Sequence, residues 1–348
     1  MKRIKLERVI IITIAMTIIG GLQSWYDHVT IGSMFSLGES EIYKFQTALL
    51  FNLISGASGG LVASITLNFI DDKYRTKPYY QGLIIIVSMF MLVWAIRNTI
   101  EAFILMETEP AKGFVFAFDA IDMRNIIFWM TIVLLSYFFL QMENKFGPGK
   151  LTQIFFGKYN IPREEERIFM FLDLKSSTTI AENLGGVRYH QFLKELFSDI
   201  TTPILETEGE IYQYVGDEVV LSWPTEGSGN LNYIKCFFAI QQLLKSEENK
   251  YLQRFGVKPY FKAGAHHGTV IAGEIGVVKR DITYSGDVLN TTARIQSMCN
   301  ELHSSFLISN DLLDLHPIPY SDWIIERKGE IQLKGKSETI ELMSIYKY

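Results

Sequence analysis

The first 142 residues contain four long apolar segments, and no other feature of the sequence constrains the fold as strongly. The segments cover residues 9–25, 45–70, 82–105 and 126–142. Most of them approach the ~20 residues that a helix needs to cross about 30 Å of hydrocarbon. The last one carries no charge over IIFWMTIVLLSYFFL. The pattern predicts an α-helical transmembrane domain of about four spans over residues 1–142.

Basic residues are distributed unevenly among the ends of these segments. Seven of them precede the first segment or lie between the second and third: Lys2, Arg3, Lys5, Arg8, Lys73, Arg75 and Lys77. The other two connections carry Lys44, and Lys112 with Arg124. Because cytoplasmic loops are enriched in Lys and Arg, we expect the N-terminus and, after four spans, the C-terminal half to lie in the cytoplasm. The chain is predicted to be a multi-pass protein of the cell inner (cytoplasmic) membrane, in contact with the lipid bilayer.

Two features within the apolar segments bear on packing and on function. Gly56 and Gly60 have the small-xxx-small spacing that lets helices approach closely in lipid. Arg97 and Glu101 are spaced i, i+4 in the third segment, so they can pair on one helix face. An ionisable pair at membrane depth indicates function, whereas a pair near the outer end of the span can reach the interface.

Residues 143–166 are predicted to form a linker or transducing segment. Gly147, Pro148 and Gly149 break the fourth helix, and Pro162 precedes a charged run. The segment also contains the apolar run 154–156, which we expect to pack against another surface.

Composition excludes several classes of protein. The chain has 33 basic and 38 acidic residues, a net charge of −5, so no basic surplus indicates a nucleic-acid partner. Cys236 and Cys299 are too few for a disulfide framework or a Cys-rich zinc site, and we expect buried thiols. His266 and His267 precede Gly268 and are expected to be structural.

Residues 167–348 have the pattern of an α+β domain. RIFMFLDL reads as a buried strand, residues 188–206 as an amphipathic helix, and EIYQYV and EVVLSW as a hairpin turning at Gly216 and Asp217. A second helix over residues 231–254 and a strand over 260–265 complete the order β-α-β-β-α-β. This order is that of the ferredoxin-like split unit.

Two carboxylates meet at one edge of this predicted sheet. Asp173 ends the first strand and Asp217 lies at the hairpin tip, where neighbouring strands bring them together. Paired carboxylates suit a divalent cation such as Mg²⁺, which takes one or two protein carboxylates together with substrate phosphates. Ordinary turn chemistry is the alternative for each residue taken alone.

Two helix starts offer groups that bind anions. Ser176, Ser177 and Thr178 open a helix whose N–H groups favour phosphate, although a helix cap is equally compatible with them. Asn290 and Arg294 share a helix face at i, i+4 and form a clamp for a phosphate or oxyanion. A solvated face is the alternative for this second pair.

These residues together carry a resemblance. The chain from residue 167 to 348 resembles the catalytic domain of class III nucleotidyl cyclases, the adenylate and guanylate cyclase family, in FLDLKSST, YQYVGDE, AGAHHGTVIAGEIG, TYSGDVLNTTARI and LKGK, in the family's order. The resemblance implies a membrane-anchored bacterial cyclase that acts as a homodimer on a nucleoside triphosphate, with composite sites at the interface.

The resemblance also assigns roles to individual residues. It implies that Asp173 and Asp217, with the backbone carbonyl of Leu174, bind two Mg²⁺ or Mn²⁺ ions in each site. Asn290 and Arg294 of the second copy are then catalytic. The substrate-binding residues include the polyphosphate lysine Lys334 and, as a looser match to a phosphate-binding arginine, Lys262, together with Ser176, Ser177 and Thr178.

Base choice in this family depends on two positions, occupied here by Gln213 and Thr283. A Gln amide can donate to N1 of adenine and a Thr hydroxyl can accept from N6, but both side chains can also turn to meet guanine. In adenylate cyclases the second position is Asp or Thr, so by resemblance Thr283 favours ATP as the substrate. GTP, or dual specificity, is the alternative.

We therefore expect a membrane-bound adenylate cyclase that makes 3′,5′-cyclic AMP and pyrophosphate for signalling, with a membrane half that serves dimerisation and regulation by an unknown signal. A nucleotide-binding module without activity is the non-enzyme alternative, but the metal aspartates, the Asn and the Arg are all present. A diguanylate cyclase would carry a GG[D/E]EF loop where this chain has VGDEVV. A channel or transporter is disfavoured because the four segments show no internal repeat.

Overall fold

The computed structural model describes residues 2–35, 45–73, 77–108, 120–147, 149–226, 231–318, 322–335 and 339–347. The chain divides into two compact units, Met1–Leu151 and Thr152–Tyr348. The first unit contains α1 (Lys2–Phe35), α2 (Phe45–Lys73), α3 (Tyr79–Thr108) and α4 (Ala120–Phe146).

Each of these four helices is long and apolar enough to cross a membrane, which confirms the predicted apolar helices. The helices extend beyond the apolar segments at most of their ends, and α1 already begins at Lys2. Charged residues such as Lys and Glu are good helix formers, so the loss of hydropathy does not end a helix.

The small-residue spacing in α2 is used for contact with α1. A Cβ atom added at Gly56 would lie 2.5 Å from the carbonyl oxygen of Met16, and one added at Gly60 would lie 2.9 Å from the Cβ of Met16. Gly20 of α1 has the same relation to α2, with the oxygen of Asn52 at 2.4 Å. Any side chain at these positions would force the two helices apart.

Polar contacts lie towards both ends of this unit. Arg8 pairs with Asp71, which also accepts a hydrogen bond from Asn144 (3.1 Å), and Arg124 pairs with Asp27 at 3.0 Å. An apolar cluster packs α2, α3 and α4 against one another: Leu67, Ile70, Ile86, Val133 and Tyr137. The side chain of Glu101, the predicted partner of Arg97, lies outside the described residues.

The chain turns sharply after α4. Gly147 and Gly149 have φ angles of +98° and +74°, a left-handed conformation that other residues rarely adopt. The short helix α5 (Lys150–Phe155) follows. Phe155 and Phe156 contact each other and are 84% and 78% exposed, so the packing expected for residues 154–156 stays a prediction.

The second unit begins with the predicted β-α-β-β-α-β order. Its first elements are β1 (Arg163–Leu174), α6 (Ser177–Leu184), α7 (Gly186–Glu206), β2 (Glu210–Val215), β3 (Glu218–Pro224), α8 (Asn232–Ser246), α9 (Glu248–Phe255) and β4 (Phe261–Ile275). The helix expected over 231–254 is thus two helices. The hydroxyl of Ser246 donates to the carbonyl of Leu243, a local bond that competes with helix continuation.

The remaining elements are β5 (Asp281–Ser285), α10 (Asp287–Ser297), β6 (Phe306–Ser309), α11 (Asn310–Leu315), β7 (Trp323–Gln332) and β8 (Thr339–Lys347). The strands form one sheet in the order β2-β3-β1-β4-β6-β8-β7, and β5 pairs with the far end of β4. The order β2-β3-β1-β4 is antiparallel throughout, as the ferredoxin-like unit requires.

Strand β1 lies at the centre of the domain and is buried on both faces. Ile168, Met170 and Leu172 belong to one core cluster with α7 and α8. Phe169 and Phe171 face a second cluster, which includes residues of β5 and α10. Burial on both faces explains why RIFMFLDL is a continuous apolar run rather than an alternating one.

Candidate functional site

The structure brings Asp173 and Asp217 to the same edge of the sheet. Asp173, at the end of β1, pairs with Glu218 of β3 on one side and with Lys262 of β4 on the other. Asp217 lies in the tight β2–β3 turn, next to Gly216, whose φ of +63° the turn requires. Asp217 is therefore adjacent in the chain to the residue that stands opposite Asp173.

The carboxylates perturb one another electrostatically. The pKa of Asp173 is raised by burial and by the neighbouring Asp217, while Lys262 acts in the opposite direction. Burial, together with Asp173 and Asp217, raises the pKa of Glu218 to about 7. Burial, followed by Asp217 and Asp173, also raises the pKa of Tyr189 on α7. A divalent cation would relieve this repulsion.

The donor set fits a hard cation that shares its coordination sphere with a substrate. Asp173 and Asp217 supply oxygen ligands, which Mg²⁺ and Mn²⁺ prefer. Among the residues that the structure describes, no group of three or more His, Cys, Asp or Glu side chains forms a closed metal cage. An open site of this kind leaves positions for phosphate oxygens and water.

Two side chains lie against Asp173: Gln296, which the sequence analysis did not single out, and Lys262, which it did. The amide nitrogen of Gln296 on α10 donates to Oδ2 of Asp173 at 3.1 Å. The ammonium of Lys262 lies 3.9 Å from the same oxygen and donates to Asn300 at 2.9 Å. Lys262 and Gln296 are each 8% exposed, so both contacts are shielded from water. Lys262 was predicted to bind phosphate, and in the single chain its ammonium is directed at the carboxylate.

A glycine in β4 allows α10 to reach this position. A Cβ atom added at Gly264 would lie 2.3 Å from the backbone nitrogen of Gln296. Gly264, in the AGAHHG segment, therefore has no side chain at the point where α10 crosses β4. Gly264 falls in the AGAHHGTVIAGEIG motif, whereas Gln296 lies one residue beyond TYSGDVLNTTARI, and sequence spacing does not show that these two residues touch.

The segment after β1 has the geometry of an open helix N-terminus. Leu174 ends the strand, paired with Phe261, and Ser176 adopts a left-handed conformation (φ 60°) immediately before α6. The side chain of Ser176 makes no capping hydrogen bond, and Ser177 and Thr178 form the first turn. The capping alternative for Ser176 is therefore not what the structure shows.

The predicted cationic residues form a second group. A Cβ atom at Gly335 would lie 3.4 Å from Nη2 of Arg294, so the guanidinium lies beside the LKGK segment that carries the exposed Lys334. Asn290 is exposed one turn earlier on α10.

The two groups lie on different sides of α10. Residues in an α-helix are about 100° apart, so Arg294 and Gln296 diverge by about 200°. Asn290 and Arg294 diverge by only about 40° and share a face. Since Gln296 contacts Asp173, Asn290 and Arg294 point away from the aspartates of their own chain.

Gln213 and Thr283 lie on strands that the structure brings together. Gln213 follows an irregularity in β2, and the hydroxyl of Thr283 in β5 donates to the carbonyl of Gly273 at 3.4 Å. Their neighbours Tyr212 and Tyr284 are in direct contact, with ring centroids 5.0 Å apart and the Tyr284 N–H donating to the Tyr212 hydroxyl at 3.3 Å.

Cys236 and Cys299 are both buried, as expected. Burial raises the pKa of the thiols of Cys236 and Cys299 to about 12, so both stay protonated at neutral pH. The ring of His266 is hydrogen-bonded to the hydroxyl of Ser309 at 2.7 Å, which is a structural contact.

The chain matches one protein family and is similar to individual known proteins. Residues 160–345 match the family described as "Adenylate and Guanylate cyclase catalytic domain". The chain is similar to Adenylate cyclase 2 of Rhizobium meliloti (strain 1021), with 36% identity over 210 residues, 60% of this chain and 57% of that protein. It is 25% identical over 194 residues to Adenylate cyclase 1 of the same organism, covering 52% of this chain and 27% of that protein.

The chain therefore matches just over half of the length of the first relative and about a quarter of the second. Among solved structures, a bacterial light-regulated adenylyl cyclase aligns with a TM-score of 0.53 and 22% identity over 65% of both chains, a likeness of fold.

Proposed function

This chain belongs to the adenylate and guanylate cyclase catalytic domain family, and from that premise we propose that it is a membrane-bound adenylate cyclase that works as a homodimer. In the proposed reaction the ribose 3′-oxygen of ATP bonds to the α-phosphorus. The bond from that phosphorus to the pyrophosphate oxygen breaks, and the hydroxyl proton is lost. The products are 3′,5′-cyclic AMP and pyrophosphate.

The observation that carries the homodimer is the divergence of side chains along α10. Gln296 holds the metal-binding Asp173 of its own chain, so Arg294 and Asn290 are turned away from that carboxylate. A site that contains both the aspartates and the Arg–Asn pair therefore needs a second copy of the chain. This requirement supports composite sites at a dimer interface.

Each group has a distinct task in the proposed site. Asp173 and Asp217, with the backbone carbonyl of Leu174, would hold two Mg²⁺ or Mn²⁺ ions. Such ions, when bound, stabilise charge on the attacking and departing oxygens. The N–H groups at the start of α6, around Ser176, Ser177 and Thr178, bind phosphate oxygens.

The second copy supplies the positive charge. Arg294 stabilises the negative charge that develops on the transferred phosphoryl group. Asn290 on the same helix face orients the ribose. Lys334, beside Arg294 through Gly335, binds the polyphosphate. The ammonium of Lys262 lies 3.9 Å from Asp173 of its own chain and stabilises that carboxylate.

The choice of base is proposed to favour adenine. Gln213 donates to N1 and Thr283 accepts from N6, and the relative that is 36% identical over 210 residues is named Adenylate cyclase 2. Both side chains can also pair with guanine, so guanylate cyclase activity or dual specificity is the second candidate.

The membrane location rests on the four apolar helices, with the N-terminus and the catalytic unit in the cytoplasm. We propose that the membrane unit, residues 1–142, brings two catalytic units (167–348) together, and that residues 143–166 connect them. The composite site is then sensitive to how the two copies meet, which would let a signal in the membrane regulate synthesis.

A complementation assay tests the composite site. The variants Asp173→Ala and Arg294→Ala are each expected to be inactive as homodimers. Co-expressed in equal amounts, they would form mixed dimers with one intact site, and random pairing would return about a quarter of wild-type activity. The matched control combines Asp173→Ala with Asp217→Ala, which lie in the same half-site and restore nothing. Activity no higher in the first mixture than in the control would refute the composite site.

Substrate choice is tested separately by product analysis of the purified full chain with Mn²⁺ and equal concentrations of ATP and GTP. Cyclic AMP is the expected main product. Cyclic GMP as the main product would favour the second candidate, and the absence of both products would favour a nucleotide-binding module.

A further inference from the structure

The helical unit contains a cavity of about 690 Å³ that the proposed cyclase reaction does not use. Residues of α2, α3 and α4 form most of its wall, and Met16 of α1 contributes at one side. This volume is within the range of roughly 300–1,000 Å³ that is typical of small-molecule sites. The cavity is therefore large enough for a ligand.

The cavity is polar at one end and apolar along its length. Arg97 and Asn125 lie at the same end, because the apolar span of α3 ends at Arg97 and that of α4 begins at Met123. Ile86 and Val133 line the other end, where they belong to the buried apolar cluster. The eleven residue steps from Ile86 to Arg97 correspond to about 16.5 Å of helix. The site is thus elongated, with its charge at one end.

The polar end presents hydrogen-bond donors. The guanidinium carbon of Arg97 lies 4.7 Å from the ring centroid of Phe51, a stacking contact that orients it. The oxygen of Asn125 already accepts hydrogen bonds from Gln23 at 3.0 Å and from Arg124 at 3.2 Å, so its NH₂ group points elsewhere. A guanidinium and an amide NH₂ group together match a carboxylate.

A glycine contributes the space in the middle of α2. A Cβ atom added at Gly59 meets no atom within 4 Å, whereas atoms added at Gly56 and Gly60 collide with α1. Gly59 lines the cavity, so it leaves room there rather than at a helix contact. The nearby hydroxyl of Ser58 is bound to the backbone oxygen of Ile54 at 2.8 Å, which keeps this part of the wall weakly polar.

We propose that this cavity binds a single-chain anionic amphiphile, a long-chain fatty acid. Its carboxylate would bind Arg97 and Asn125, and its hydrocarbon chain would extend towards Ile86 and Val133. A bilayer supplies such molecules, and a guanidinium binds a carboxylate through charge-assisted hydrogen bonds. The elongated cavity with one charged end fits one chain and one head group.

The test uses the full chain in nanodiscs of phosphatidylcholine, with parinaric acid as a fluorescent fatty-acid probe and its methyl ester as the uncharged match. Saturable binding of the acid is expected, with the ester bound about tenfold or more weakly. Arg97→Gln should weaken binding of the acid by about tenfold and leave the ester unchanged, since it removes a charge-assisted contact. Gly59→Leu should abolish saturable binding of both, because it fills the cavity.

Two control variants match these changes outside the cavity. Lys73→Gln removes a cation that lies 5.2 Å from the ring of Phe69, and Leu61→Phe adds bulk at a position of α2 that is 46% exposed. Both should bind the probe as the wild type does. If Gly59→Leu does not give a monodisperse protein, Val62→Phe, also in the cavity wall, replaces it.

Three results would overturn the proposal. They are fluorescence that rises without saturation, equal binding by the wild type and the cavity-filling variant, and displacement of the probe by equimolar phosphatidylglycerol, which would assign the cavity to a diacyl lipid. None of these measurements depends on cyclase activity, so the site and the proposed reaction are tested independently.

Discussion

Replacing Gln296 by Leu tests whether this amide positions Asp173, the proposed metal ligand. The two side chains have similar size, but Leu cannot donate the 3.1 Å hydrogen bond to Oδ2 of Asp173. Gln296 is 8% exposed, so water does not readily replace the lost donor. A hydrogen bond to a charged group is worth about 1.5–3 kcal/mol, which corresponds to a factor of roughly 10–150.

The effect should appear in the metal requirement. Outer contacts to metal ligands typically change affinity by about 10–100-fold, so we expect the concentration of free Mn²⁺ for half-maximal activity to rise by that factor. The hydrogen bond also lowers the pKa of Asp173 against the effects of burial and Asp217. Its loss should therefore move the acidic limb of the activity profile to higher pH.

The assay is cyclic AMP formation as a function of free Mn²⁺ at several pH values, alongside thermal unfolding. Ser297→Ala is the matched control, since its exposed hydroxyl donates to the backbone oxygen of Arg294 in its own helix. A variant that unfolds at the wild-type temperature and keeps the wild-type Mn²⁺ dependence would refute a positioning role for Gln296.

Three further changes have defined outcomes. Gly264→Ala places a Cβ atom 2.3 Å from the backbone nitrogen of Gln296. It should lower the free energy of unfolding of the catalytic unit by about 1–3 kcal/mol in urea. The control Gly268→Ala, whose Cβ would have its nearest contact at 3.4 Å, should be nearly neutral. Arg167→Met removes the buried partner of Glu165 and Glu210 and should lower the free energy of unfolding by about 3–5 kcal/mol in the same measurement. Gln213→Lys should raise the ratio of cyclic AMP to cyclic GMP by about tenfold at equal ATP and GTP, and Gln213→Glu should reverse it. The Gln amide can both donate and accept hydrogen bonds, whereas Lys only donates and Glu only accepts. An unchanged ratio in both would show that Gln213 does not contact the base.

The central fold could be predicted because its signals are local. A continuous apolar run flanked by charges identifies β1, and its burial on both faces follows from the same run. Apolar segments near the length of the bilayer identify α1 to α4. The length of β4 was not predicted beyond residue 265. Its second half pairs with β5 and leaves Ile271 and Ile275 exposed, so it lacks the apolar alternation of a half-buried strand.

The site could be predicted only in part, for a different reason. Helical spacing shows that Asn290 and Arg294 share a face, but it does not show which strand the opposite face contacts. That contact depends on Gly264, 32 residues before Gln296 in the chain. Glu218 stands opposite Asp173 through the register of β1 and β3, and Asn300, in the loop after α10, accepts a hydrogen bond from Lys262. Sequence spacing does not encode either contact.

Helix α10 gives the proposed dimer a mechanical link between its two reaction centres. The helix is eleven residues long, and one side of it braces a carboxylate of its own chain while the other side serves the second centre. A displacement that improves the fit of Arg294 to a nucleotide in one centre is transmitted to the support of Asp173 in the other. Thermodynamic linkage makes such an effect reciprocal, so nucleotide bound at either centre would change the affinity of its neighbour by the same factor.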